Sequence, residues 1–269
     1  MLSTSRAALD ELREQLRGRL EGESRATVAS ELLAVAALLG RESALRATLS
    51  DPSAAADAKA GLVDTLLGGR LSPVALDTTR AAVRARWSRA ADLPDAVEAL
   101  GAEAAFAEAE ATGALDRVEE ELFRFSRTVV GEAQLRRALS GGTLPVEGRV
   151  ALLRDLLGQR ASPVTAQLLE HVVGSLRGRR LEEALDTLVE LAAERRSEVV
   201  AEVTVAAPLS AEQETRLGTV LSRIYGRAVR LQVEVDPSVL GGVVVRVGDE
   251  VVDGSVLHRL DQARRAFSK

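Results

Sequence analysis

No cysteine occurs in the 269 residues, so a disulfide framework, a thiolate nucleophile and a zinc–thiolate centre are all excluded. Aromatic residues make up only 2% of the chain, too few for a ligand pocket lined with rings. The only histidines are His171 and His258, which leaves little for imidazole-based metal binding. Lysine is nearly absent as well, Lys59 and Lys269 standing among many arginines. A net charge of −5 lacks the basic excess of a nucleic-acid binder. No apolar run approaches the roughly 20 residues needed to cross a bilayer. The start, Met1 to Arg6, has no apolar stretch of signal-peptide type, and Asp10, Glu11 and Glu14 follow directly. The expectation is a soluble, cytosolic chain without direct membrane insertion. What is present is Ala, Leu and Val, with hydrophobic residues at 46%, which suits closely packed helices.

From the start to about Val199 the apolar period is helical. Leu9, Leu12, Leu16 and Leu20 form one stripe, and Val28, Leu32, Val35, Ala36 and Leu39 a second, closed by Gly40. Leu45 and Leu49 mark a short helix ending at Ser50-Asp51-Pro52. Lys59, Leu62, Val63, Leu66 and Leu67 mark another that stops at Gly68-Gly69. Ser72-Pro73 reads as an N-cap followed by proline at the first helical position, where its missing N–H costs nothing. That helix carries Val74, Leu76 and Val83 towards Trp87. Asp92 is expected to cap a sixth helix through Val97 and Leu100. Six short helices joined by tight turns describe a bundle.

The pattern then repeats without a gap at a shift of 90 positions. Glu42, Leu45, Arg46, Leu49 and Ser50 meet Glu132, Leu135, Arg136, Leu139 and Ser140. Leu62, Leu66, Leu67, Gly68 and Arg70 meet Leu152, Leu156, Leu157, Gly158 and Arg160, and Ser72-Pro73-Val74 meets Ser162-Pro163-Val164. Gly, Arg and Ser-Pro matches in one register imply a duplicated helical unit. The expected domains are a bundle over 1–102, a second over 103–190 and a C-terminal module over 191–269, with Phe106 to Ala111 continuing a helix across the junction.

After about Glu198 the period changes. Val199, Val200, Val203 and Val205 suit a buried strand, and Ser210 with Gln213 forms a capping box for a helix through Leu217, Val220, Leu221 and Ile224. Val229, Leu231, Val233 and Val235 alternate with polar residues as a half-buried strand. Val243 to Val247 form another, Gly248-Asp249 is a hairpin turn into Val251-Val252, and Asp253 is expected to cap a last helix with Val256, Leu260, Ala263 and Phe267 on one side. Overall the fold class is α+β: two tandem six-helix bundles followed by a small α/β module.

The stretch Asp236-Pro237-Ser238-Val239-Leu240-Gly241-Gly242-Val243-Val244-Val245-Arg246-Val247-Gly248-Asp249, continued by Asp253-Gly254-Ser255 and Leu260, closely resembles the C-terminal signature of the F-type ATP synthase delta family, whose mitochondrial form is the oligomycin sensitivity-conferring protein. Leu49-Ser50-Asp51-Pro52 with Lys59, and Arg180-Leu181 after a helix, look like that family's six-helix bundle. A duplicated bundle is similar to the longer form of high-G+C Gram-positive bacteria, in an unfused version here. The resemblance implies a non-catalytic stator, held at the cytoplasmic face of the plasma membrane within the synthase. It implies that a bundle binds the N-terminal helices of the α subunits on the α/β head. The C-terminal module is implied to bind the C-terminal end of the b subunit, or of a fused b-type subunit. It does not say which bundle grips an α subunit: Lys59 and the free first helix favour the first copy, Gly178 to Leu181 the second.

The residues expected to matter fall into two sets. Gly241, Gly242, Gly248, Asp249, Asp253 and Ser255 build the C-terminal module or contact b. Gly241-Gly242 at a strand start permits positive φ or close backbone approach, and Asp253 and Ser255 can satisfy orphan helix N–H groups. Leu9, Leu12, Leu16, Val83 and Trp87 are candidates for a groove that takes an α-subunit helix. Catalytic readings fail: no Gly-Lys-Ser/Thr follows the glycines, which precede a strand, and neither histidine has a metal-binding partner at i+4. No cofactor, metal or catalytic residue is expected. His171 and His258 read as surface or packing residues, Glu108, Glu110 and Glu119-Glu120-Glu121 as a solvated face, and Arg177-Gly178-Arg179-Arg180 as a helix C-terminus or an acidic partner's patch. Two other readings compete with the stator: a small enzyme or nucleotide-dependent regulator, for which a phosphate loop is lacking, and a free helical-repeat scaffold or regulatory protein outside the synthase, which leaves the Gly-Gly-to-Asp-x-Ser stretch unexplained.

Overall fold

The computed structural model describes residues 3–20, 24–141, 144–158, 160–197, 199–225, 229–236, 242–247 and 250–253. The chain divides into two compact units, Met1–Ala193 and Glu194–Lys269. The first contains α1 (Ser3–Arg17), α2 (Arg25–Arg41), α3 (Ser43–Ser50), α4 (Ala56–Leu67), α5 (Pro73–Arg84), α6 (Asp92–Ala111), α7 (Leu115–Gly131), α8 (Ala133–Ser140), α9 (Val146–Leu157) and α10 (Pro163–Gly174). α11 (Leu181–Ser197) follows and runs up to the second unit. None of the described helices is long and apolar enough to cross a membrane.

The duplication is visible in the helix bounds: α2 to α5 recur as α7 to α10, each displaced by 90 residues at both ends. Local contacts recur with them. Glu31 accepts from the Ser72 backbone N–H at 2.8 Å, and Glu121 from the Ser162 N–H at 2.8 Å, tying α2 to α5 and α7 to α10. Ser72 and Ser162 each cap the helix begun by the proline behind them, as the sequence suggests. Arg46 donates to the carbonyls of Leu39 and Gly40, and Arg136 to those of Val129 and Val130. Arg80–Asp64 becomes Glu170–Arg154, the same bridge with its charges exchanged. The solvated acidic face expected on α7 is only partly so. Burial pushes the Glu121 carboxyl up, but hydrogen bonds from Thr165 and the Ser162 backbone outweigh it and hold it below the ordinary range.

α6 serves both copies. It closes the first set against α1, α2, α3 and α5, and it stands in the position of α1 towards α7 and α10. The expected boundary at 102/103 falls inside this unbroken helix, and residues from both copies form one hydrophobic core. A helix packed on every side must be apolar or small all round. α6 meets that demand with Leu93, Val97, Leu100 and Phe106 among alanines, all buried. α2 crosses it most closely at Gly101, where an added Cβ would stand 2.9 Å from Leu33 Cγ and 3.1 Å from the Leu33 backbone N. Asp92 does not cap α6. It is fully buried and accepts from Ser5 Oγ at 2.8 Å, while Ala91 occupies the N-cap without a side-chain bond.

The second unit contains β1 (Val199–Val205), α12 (Ala211–Tyr225), β2 (Val229–Val235), β3 (Val243–Val247) and β4 (Glu250–Asp253). The sheet order is β2-β1-β3-β4, with β1 parallel to β2 and antiparallel to β3, and β3 antiparallel to β4. Central placement explains the valine-rich β1 and β3, and α12 packs on β2. Ser210 and Gln213 form the expected capping box, with Gln213 Oε1 accepting from the Ser210 N–H at 2.8 Å and Ser210 Oγ from the Gln213 N–H at 3.3 Å. Val247 pairs with Glu250; the turn expected at Gly248-Asp249 lies outside the described residues. Asp253 ends β4 opposite Val244, and the helix expected after it lies outside the described residues.

Gly101→Val is expected to force α2 away from α6 and to destabilise the helical unit by about 1–3 kcal/mol. Urea denaturation followed by circular dichroism checks this; an unchanged midpoint would show that the helices do not depend on this close crossing.

Candidate functional site

A cleft of about 490 Å³ opens between α1 and α5 of the helical unit. Leu9, Leu12, Leu16, Val83 and Trp87, expected in a groove, are all buried there or directly beneath it. Leu12 alone of the five lines the opening; the others brace the two walls from the core side. Trp87 lies beyond the end of α5 and donates through its indole N–H to the Ala82 carbonyl at 2.8 Å, the role of a core anchor. The floor is small, made by Ala8, Leu12, Ala81 and Ala85. The rim is charged. Asp77 bridges Arg19 at 3.3 Å and Arg80 at 2.7 Å, and Asp64 approaches Arg80 at 2.5 Å. A narrow floor of alanines between charged rims accepts a helix whose contacting face is small and apolar.

A second assembly of polar groups lies where α6 meets the loop between α10 and α11. Glu98 on α6 is buried and accepts from Arg177 and, at 2.9 Å, from Arg179, while His171 Nε2 stands 3.0 Å from its other contacts' oxygen, Oε2. Arg177 reaches on to Asp95 at 2.6 Å. Arg177 holds a left-handed backbone with φ 52°, and its stem crosses Gly40 of α2, where a Cβ would meet Arg177 Cδ at 2.7 Å. Burial pushes the Glu98 carboxyl up, but His171, Arg177 and Arg179 together overcome it and hold the group far below the ordinary glutamate range. Burial likewise opposes the charge on Arg177, and Glu98 and then Asp95 restore it.

This cluster decides between alternatives that the sequence leaves open. Arg177 and Arg179 are engaged by Glu98 of their own chain and do not form a patch for an acidic partner; Arg180 remains exposed beside Glu182 and Glu183. His171 is a packing histidine with a carboxylate partner. Spacing along the sequence gives no sign of Glu98, because it pairs with residues more than 70 positions away. The repeat does give a sign: at the shift of 90, Ala8 becomes Glu98, Ala81 becomes His171 and Trp87 becomes Arg177, so an apolar site is replaced by an ionic one. Glu98 is held ionised and is spanned by Arg177 and Arg179, so the cluster locks helices together. Among the described residues, no group of three or more His, Asp or Glu is placed to hold a metal.

Of the C-terminal signature, Gly242 has φ 86° immediately before β3, which is the left-handed backbone expected of the Gly pair. Asp253 is in β4. Gly241, Gly248, Asp249 and Ser255, like His258, lie outside the described residues. On the same unit α12 leaves Val220 and Ile224 exposed at i, i+4 spacing.

The family model described as ATP synthase delta (OSCP) subunit matches residues 97–267. The delta subunit of Streptomyces griseus ATP synthase is 47% identical over 270 residues, covering the whole of both chains. That of Salinispora arenicola is 47% identical over 264 residues, covering 98% of this chain and 96% of its own, and that of Streptomyces coelicolor is 45% identical over 270 residues, covering 100% and 98%. A chain of the Toxoplasma gondii mitochondrial ATP synthase hexamer is 24% identical with a TM-score of 0.30, covering 62% of this chain and 95% of its own.

Glu98→Gln is expected to cost about 2–3 kcal/mol at pH 7, because two part-buried arginines lose the buried carboxylate they share. The wild-type carboxyl is held low in the folded chain, so its stabilisation is full above the ordinary glutamate pKa of about 4.3 and fades as pH falls below it. Denaturant midpoints of the two chains should therefore converge below about pH 4. A constant difference down to pH 3 would show that the ionised carboxylate is not the source.

Proposed function

We propose, for a chain that belongs to the ATP synthase delta (OSCP) subunit family, that its helical unit grips the catalytic head and its C-terminal module holds the peripheral stalk. The family is a non-catalytic structural subunit of the synthase, a membrane-associated complex with a catalytic head and a stalk. Within it the α1/α5 cleft takes the N-terminal helix of an α subunit, beside the β subunits of the head, and the C-terminal module takes the end of the b subunit. The complex is held at the cytoplasmic face of the membrane. The observation that carries the first contact is the open cleft with its alanine floor and charged rim. A partner helix lying there buries an apolar stripe over several turns. A stator needs contacts of that kind, spread over a surface and set against the torque of the rotor. Support for the second contact is the exposed Val220/Ile224 stripe on α12 and the shaped entry to β3 at Gly242.

Truncation after Arg196 removes nearly all of the second compact unit while keeping all eleven helices of the first series almost intact. The shortened chain should remain helical and still bind the head, and the head should keep hydrolysing ATP in solution. Proton-driven ATP synthesis by reconstituted vesicles should fail. Gly242→Val should weaken synthesis in the same way, since a β-branched side chain is strained at φ 86°. Full synthesis by vesicles containing only the truncated chain would show that the C-terminal module is not the stalk anchor.

A further inference from the structure

The duplication creates the α1/α5 geometry twice, the second time between α6 and α10, yet the two grooves differ. Each residue of the first cleft has an equivalent 90 positions on. Glu11 becomes Gly101, Ala8 becomes Glu98, Ala81 becomes His171 and Ala85 becomes Ser175. In the first copy these positions face an opening. In the second they are covered by α2 of the same chain. Leu33 presses on Gly101, and Gly40 meets the side chains of Arg177 and Ser175. Farther along, Ser30, Leu33, Ala34 and Ala37 of α2 and Gln167, Glu170 and His171 of α10 border a separate, wide-mouthed cavity of about 530 Å³. The face of α2 laid on α6 and the Arg177 loop is therefore centred on buried Leu33, with half-buried Ala37 and Gly40 on the same stripe and Ser30 exposed at its edge.

We infer that α2 is the resident occupant of the second copy's α6/α10 groove, so that of the two equivalent grooves α1/α5 is the one left open to a helix with a small-and-apolar stripe. This rests on the reading of that cleft as the α-subunit docking site. The segment matched by the family model begins at Val97, so the filled groove belongs to the matched copy, and the copy ahead of it both fills that groove and supplies another. Two features fix α2 in place. Gly101 lets it approach α6 closely, and the Glu98–Arg177 contact closes the loop over Gly40. The first cleft has no equivalent lock, because its corresponding residues are Ala8 and Trp87.

The test uses the full chain and a synthetic peptide of roughly 20 residues, about 30 Å when helical, copied from the N-terminus of the α subunit of the same synthase. Titration calorimetry should give one peptide per chain. Hydrogen exchange should slow by about tenfold in α1 and α5 and stay unchanged in α2, α6 and α10, as expected when a ligand suppresses local opening where it binds. Gln15→Trp, an exposed change at the cleft, should abolish both effects, and Ala81→Trp provides an independent block with folding checked by circular dichroism. Two peptides per chain, or slowed exchange along α6 and α10, would overturn the inference while leaving the docking reading in place. Absence of any binding by the unaltered chain would overturn the docking reading itself, and the inference with it.

Discussion

The structure of the helical unit depends on one helix having two sets of neighbours. α6 is 20 residues long, about 30 Å, and it is asked to be the last helix of one bundle and the first of the next. No face is left for solvent along most of its length. Bulky side chains on all sides would hold the surrounding helices apart, so the sequence alternates Leu, Val and Phe with Ala and Gly. Gly101 marks the tightest point, against Leu33. Charges on such a helix need partners within the protein. Glu98 has Arg177, Arg179 and His171, Glu103 has Arg17 at 2.7 Å, and Asp92 has Ser5 and Arg89. Apart from the local Arg89–Asp92 contact, each of these bonds joins α6 to a segment distant in sequence, so the polar exceptions on α6 are also the ties that fix its neighbours.

Sharing a helix makes the two copies unequal although their helices have the same lengths and order. Whatever packs on α6 from the first copy is laid over a face that, in the second copy, corresponds to an exposed face of α1. The groove of the second copy is therefore covered by the act of duplication, and an ionic lock has replaced alanines and a tryptophan at the covered positions. In the first copy the corresponding face of α1 borders the open cleft. The difference between the two grooves thus follows from packing.

Much of this was legible beforehand and some was not, for identifiable reasons. Helix periods, the Ser-Pro starts, the capping box at Ser210 and the 90-residue shift are local or translational signals, and they located the elements and the repeat. The shared helix was visible only as the missing linker before Gly113, because sequence periodicity does not reveal how many neighbours a helix has. Glu98 and the Arg177–Arg179 loop escaped, since charged residues on helices are usually solvated and only the fold brings residues more than 70 apart into contact. Asp92 was misassigned for a related reason: a cap and a buried tie use the same side chain, and the presence of Ser5 opposite decides between them. Leu9, Leu12 and Leu16 on α1, Val83 on α5 and Trp87 just past α5 flank the cleft, but the apolar stripe marks the side facing the core, and of the five only Leu12 stands among the alanines that line the opening.

A density map of the assembled synthase at side-chain resolution distinguishes an open first-copy cleft, with α2 filling its counterpart, from the reverse. The expected map shows a partner helix lying between α1 and α5, over Ala8, Ala81 and Ala85, with α2 still seated across Gly101. A partner helix found along α6 and α10 with α2 displaced would contradict it.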